Sequence, residues 1–151
     1  MFDAIRNFVA ELADGDKPGG LDNRELRLCT AALLVHAASI DDGISDAGRS
    51  QLSALLKQRF NLDDAATFEL IEQAIVAEQK AVDLYHFTRR LNESLDDKER
   101  LRLIEMMWTV AYADGAVSDY ENNLIWRVAD LLGVSATERI ALRNRVAAGG
   151  A

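Results

Sequence analysis

The segments IDDGISD (40–46) and ADGAVSD (113–119) are two versions of one turn. At a constant offset of 73 residues, Ala38 matches Ala111, Asp41 matches Asp114, Ile44 matches Val117, Ser45 matches Ser118 and Asp46 matches Asp119. An offset of 72 aligns Asp42-Gly43 with Asp114-Gly115 instead. The 73-residue register is preferred because it also pairs Leu52 with Ile125 and Leu55 with Val128 on the segment that follows. A duplication of this kind predicts two similar helix–turn–helix halves that bury their apolar stripes against each other.

The rest of the chain is written for helices. One proline and nine glycines in 151 residues leave long uninterrupted stretches, and strand patterning is nearly absent. Phe2, Ile5, Phe8, Val9 and Leu12 mark a short amphipathic helix ending in the polar, glycine-rich Asp14–Gly20, so residues 1–20 read as a helix plus linker and residues 21–148 as the domain. Asp22 with Glu25 resembles a capping box opening a helix to about Ser39 through Leu26, Cys29, Leu33, Leu34 and Ala37. Leu52, Leu55, Leu56 and Phe60 mark the next helix, and Asp63 caps another carrying Phe68, Ile71, Ile75 and Val76. A further helix spans about Ala81 to Leu91. Asp96 or Asp97 starts one with Leu101, Ile104, Met107, Trp108 and Ala111. After the second turn come Leu124, Ile125, Val128, Leu131 and Leu132, and Ser135-x-x-Glu138 introduces a last helix through Ile140 and Leu142. The expected fold is all-α: a single-domain bundle of seven to eight helices with two pseudo-symmetric helix–turn–helix halves. Met107, Trp108 and Trp126 are read as packing residues.

With 49% hydrophobic residues, the chain should bury roughly two-thirds of the surface its unfolded form exposes, so a self-sufficient core is expected. Cys29 lies in an apolar run and reads as a small buried hydrophobe, which fits a reducing, cytoplasmic compartment. The longest apolar stretch, Cys29 to Ile40, is far short of the ~20 residues a bilayer crossing needs. The N-terminus shows no secretory signal, and peripheral membrane association is left open. A formal net charge of −8 repels nucleic acid and attracts cations or basic partners. Because Arg6 is the only basic residue before the linker, the first helix is expected to dock on the bundle or on a second copy rather than on a membrane.

Three segments carry a family resemblance. MMWTVAYADGAVSDYENNLIWRVADLLGV resembles the signature segment of the TerB-like tellurite-resistance family, and AALLVHAASIDDGISD resembles its first copy. AVDLYHFTRRLN is similar to the middle segment of the uncharacterised bacterial branch. The likeness covers roughly Asp22 to Val146. It implies an all-helical bundle with pseudo-twofold halves, acidic side chains near the two turns, a capacity to bind divalent metal, and no enzymatic activity. By position, the second half keeps Asp114, Gly115, Ser118 and Glu121. The first half departs: Asp42 falls where glycine is usual and Gly48 takes the glutamate's place.

The residues themselves support two readings. Asp41, Asp42, Asp46, Asp114, Asp119 and Glu121 could supply the oxygen ligands that calcium or magnesium requires, and acids from both turns would share one ion if the turns meet across the pseudo-twofold axis. An EF-hand is excluded, since Asp114 and Glu121 are only seven positions apart. On the other reading, Ser118-x-x-Glu121 is a capping box, Asp119 favours a helix N-terminus and Asp114-Gly115 is turn chemistry. The acidic pair of Asp83 with His86 has no second copy, and His36 lies in an apolar run, so neither histidine is assigned as a ligand. No phosphate loop, nucleophile elbow or paired cysteine motif occurs. The expected function is therefore non-enzymatic binding of a divalent cation, a protein partner, or both, through the turns, with a homodimer also possible. The alternatives are a metal-free scaffold and, third, a metal-dependent enzyme, which would need an open coordination position in a polar pocket.

Overall fold

The computed structural model describes residues 23–39, 43–81 and 85–149, and 86% of these are helical, with no strand among them. Seven α-helices follow one another: α1 (Asn23–Ser39), α2 (Asp46–Phe60), α3 (Asp64–Lys80), α4 (Tyr85–Ser94), α5 (Asp97–Ala111), α6 (Asp119–Leu131) and α7 (Ala136–Gly149). A short 3₁₀ turn, η1 (Tyr112–Asp114), separates α5 from α6.

Local chemistry sets these boundaries. Ser45, Asp63, Asp96 and Ser118 lie in extended backbone immediately before a helix, and each side chain accepts a hydrogen bond from the amide three residues on. Ser135 does the same for Glu138, at 3.1 Å. At the far ends, Asn61 (φ 54°) closes α2 and Gly133 (φ 75°) follows α6, both in the left-handed region. The expected caps at Asp63, Asp96, Ser118 and Ser135 are all present. Asp22 lies outside the described residues, as does the N-terminal helix expected over 1–20. The helix expected from about Ala81 is described from Tyr85, and α3 ends where Ala81 turns to extended backbone.

The packing repeats, and it repeats further than two helices. α1 packs on α2 and α3, and α2 on α3; in the same way α5 packs on α6 and α7, and α6 on α7. The two sets cross over reciprocally, α1 touching α6 and α2 touching α5, with α1 against α5 at the centre. Each repeat is thus three helices, and α4 lies between them in sequence. The N-caps Ser45 and Ser118 are 73 residues apart and the fully buried pair Leu52 and Ile125 keeps that spacing, whereas the left-handed pair Asn61 and Gly133 is separated by 72. The repeat loses one residue between the second and third helices.

The core runs through both sets. Leu33, Leu34, Leu52, Leu56, Ile71, Ile104, Met107, Trp108 and Ile125 are fully buried, and so is Cys29. Four residues depart from the periodic reading. Trp126 is 53% exposed, Phe68 60%, Ile140 47% and Leu131 38%, instead of facing the core. On α6 the inward stripe is Leu124, Ile125, Val128 and Ala129, and Trp126 stands one residue, about 100° of helix rotation, away from Ile125. Arginines cover two of these exposed rings: Arg139 lies 6.0 Å from the Trp126 ring centre and Arg49 5.4 Å from that of Phe68.

Candidate functional site

The two acidic turns share one end of the bundle. Arg59, near the end of α2, bonds Glu99 in the first turn of α5 at 3.3 Å, while α2 also packs against η1 at the far end of α5. The two helices therefore run antiparallel, and the start of α2, just past the first turn, lies at the same end as η1 in the second.

Within that end the six candidate acids fall into three groups. Asp41 and Asp42 lie outside the described residues, and so does the side chain of Asp114, whose backbone forms the last residue of η1. Asp46 and Asp119 each occupy the first position of a helix, α2 and α6, and are exposed. There they face the positive end of the helix dipole. Glu121 is half-buried and completes a capping box: its carboxylate accepts from the Ser118 amide at 2.9 Å, while Ser118 Oγ accepts from the Glu121 amide at 3.1 Å. Among the described residues, no three His, Cys, Asp or Glu side chains are grouped to hold a metal ion. That grouping omits Asp41, Asp42 and the Asp114 carboxylate, half of the candidate set.

Both turns use a left-handed glycine, at different places. Gly43 has φ 83° and Gly115 φ 95°, 72 residues apart, although the serine caps that follow are 73 apart. One residue, Ile44, separates glycine from cap in the first turn, and two, Ala116 and Val117, do so in the second. Both alignments of the repeat are thus realised, one at the glycine and the other at the cap. Gly48 holds the place that Glu121 holds in α6. It is buried, and a Cβ there would lie 3.1 Å from Ser45 Oγ and 3.9 Å from the Ala38 methyl group. Ser45 Oγ is the atom that would have to give by a few tenths of an ångström for a glutamate at this position, whereas the approach to Ala38 of α1 is an ordinary contact.

A cation braces the second turn from behind. The Arg143 guanidinium donates to Tyr112 Oη at 3.0 Å and to Asn122 Oδ1 at 3.2 Å, and its carbon lies 5.5 Å from the Trp108 ring centre. Arg143 thereby ties α7 to both ends of the ADG turn. Sequence periodicity gave no sign of it, because the three partners are 21 to 35 residues away. His36 Nδ1 lies 2.7 Å from Glu78 Oε1, joining the ends of α1 and α3; this is a packing role, as expected for a histidine in an apolar run. A buried polar pair, Glu25 and Arg90, approaches to 3.6 Å between α1 and α4. It lies beside Cys29, whose thiol burial pushes far above its usual range, so Cys29 stays protonated and unreactive.

Two duplicated helix pairs, capped in the same places and bringing their acidic turns to one end, now meet a comparison with known families. Residues 27–144 match the family model described as tellurite resistance protein TerB. The chain belongs to the TerB family. The match begins in the second turn of α1 and ends in α7, so it takes in both repeats, α4 and both acidic turns of this TerB domain. No curated protein and no solved structure matches the chain. Among the described residues of the TerB domain, no helix is long and apolar enough to cross a membrane.

Proposed function

We propose that this chain is a non-enzymatic TerB-type component of tellurite and stress resistance, which binds a divalent cation, a protein partner, or both, at the end of the bundle carrying the two acidic turns. The observation that supports this is the convergence of the turns. The sequence supplies six carboxylates in two copies of one acidic hairpin, and the helices that follow them start at a single end; calcium or magnesium is the ion that such an all-oxygen set suits. The second turn is the stronger half-site, since it combines Asp114 and Asp119 with Glu121, while the first contributes Asp41, Asp42 and Asp46. A partner with a basic surface would engage the same end electrostatically. The cytoplasm suits the buried free thiol of Cys29.

A metal-free scaffold is the second reading, and the Ser118–Glu121 capping box favours it, because Glu121 already has structural work. Calorimetric titration of the full chain with calcium, magnesium, manganese and zinc separates the two. Saturable binding of one ion, lost in the Asp114→Asn variant, supports the first reading. A featureless titration with all four ions refutes cation binding and leaves the scaffold. On the scaffold reading, deletion of residues 1–20 abolishes association with a partner or second copy while the helical fold survives.

A further inference from the structure

The pseudo-twofold arrangement is complete except for α4. This helix precedes the second repeat in sequence and packs on α1 of the first repeat and on α6. It does so through Phe87 and Leu91, both buried, and through Arg90, which pairs with Glu25 of α1. The symmetry-related seam lies between α5 and α2. There Lys98 and Arg102 are exposed and line an open groove with Gln58, Arg59 and Glu99. At the 73-residue offset Lys98 is the counterpart of Glu25, and Arg102 of Cys29. The face that is covered in one repeat is thus open in the other, and its charge is inverted.

Lys98 also breaks two local rules. It sits at the second position of α5, the positive end of the dipole, and it shares one helix face with Arg102 at i,i+4. Like charges so placed are unfavourable, and neither residue has an acidic partner among the described residues.

The chain holds a segment of matching chemistry, and it ends at the right place. FTRRL (87–91) in α4 has a counterpart in FVAEL (8–12): Phe8 stands for Phe87, Leu12 for Leu91, and Glu11 for Arg90. The lining residue has changed from acid to base and the covering residue from base to acid. As α4 precedes the second repeat and covers the first, residues 2–12 precede the first repeat and would cover the second. The start of α1 lies at the groove's end of the molecule, since Arg27 is 5.8 Å and Arg59 5.2 Å from the Phe60 ring centre. The ten residues from Ala13 to Asp22 span up to about 33 Å when extended, ample for the distance. On the same two helices Leu55 and Leu101 are only half-buried, whereas their 73-residue counterparts Val128 and Leu28 are buried.

We propose that residues 2–12 dock as an amphipathic helix over the α5–α2 seam of the same chain, with Glu11 against Lys98 in a charge-inverted copy of the Arg90–Glu25 pair. The test uses the full chain. A Glu11→Cys/Lys98→Cys variant should form an intramolecular disulfide under mild oxidation at least tenfold faster than a Glu11→Cys/Tyr120→Cys control. Equal rates would overturn the proposal, and so would disulfides found only between chains, which would mean docking on a second copy. Charge reversal gives an independent readout, since Lys98 is exposed and its substitution leaves the core intact. Lys98→Glu should raise tryptic cleavage after Arg6 about tenfold, and the swap Glu11→Lys/Lys98→Glu should restore resistance at that bond. Cleavage that is unchanged in Lys98→Glu, or not restored in the swap, contradicts the pairing.

Discussion

The two repeats share a frame and differ in what covers it. Equivalent positions on α1 and α5 hold Glu25 and Cys29 in one case, both buried, and Lys98 and Arg102 in the other, both exposed. The turns differ in the same manner: Ser45 and Ser118 cap α2 and α6 identically, but only the second turn has a glutamate three residues on. Duplication therefore fixes where helices begin and which residues fill the centre. The flanks, where each copy meets different neighbours, have diverged freely.

The sharpest way to break this comparison is at the covered flank. Arg90→Ala leaves Glu25 buried without its guanidinium and should cost about 3–5 kcal/mol, measured by urea denaturation, while Lys98→Ala at the open flank should stay within about 0.5 kcal/mol. Similar costs at the two positions would mean that the flanks are not inverted as described. The two tryptophans extend the contrast to the third helices' side of each repeat. Trp108, fully buried, and Val35 occupy equivalent places, so Trp108→Ala should cost about 3–5 kcal/mol. Trp126 and Ser53 are likewise equivalent, both outside the core, and Trp126→Ala should cost less than about 1 kcal/mol.

At the turns the expected effects are smaller. Ser45→Ala and Ser118→Ala should each cost about 1 kcal/mol, since each removes one N-cap hydrogen bond of similar length, 2.9 and 3.1 Å. Gly48→Glu, which writes the second turn's box into the first, should fail to stabilise the protein, because the added Cβ presses on Ser45 Oγ. A thermal midpoint raised by several degrees would show instead that the first turn has room. Cys29 should remain unmodified by a thiol reagent in native buffer at pH 8 and react fully in denaturant.

The elements were legible because their signals are local. The four caps at Asp63, Asp96, Ser118 and Ser135 and the 3.6-residue spacing around Leu52, Ile104 and Leu124 need only neighbours in sequence, and the all-α class and the duplicated hairpins followed from them. What depends on distant neighbours was less visible. Trp126, Phe68 and Ile140 look like core residues until Arg139 and Arg49 are seen lying over two of the three rings and side chains concerned, Trp126 and Phe68. The third helix of each repeat was hidden by the one-residue slip between the Ser45/Ser118 and Asn61/Gly133 spacings. Glu25, read as half of a capping box, turned out also to be a buried partner for Arg90, 65 residues away. At the candidate site the sequence named the acids and their competing duties, and Arg143 behind the second turn carried no local signal at all.

The acidic end can be examined residue by residue through backbone amide NMR during titration with magnesium and then calcium. Saturable shifts concentrated in 41–46 and 114–121, at a shared midpoint and absent in Asp114→Asn, are the expected result. Amides at both turns that stay unmoved at millimolar concentrations of either ion, with the rest of the spectrum intact, would contradict a cation-binding role for the paired turns.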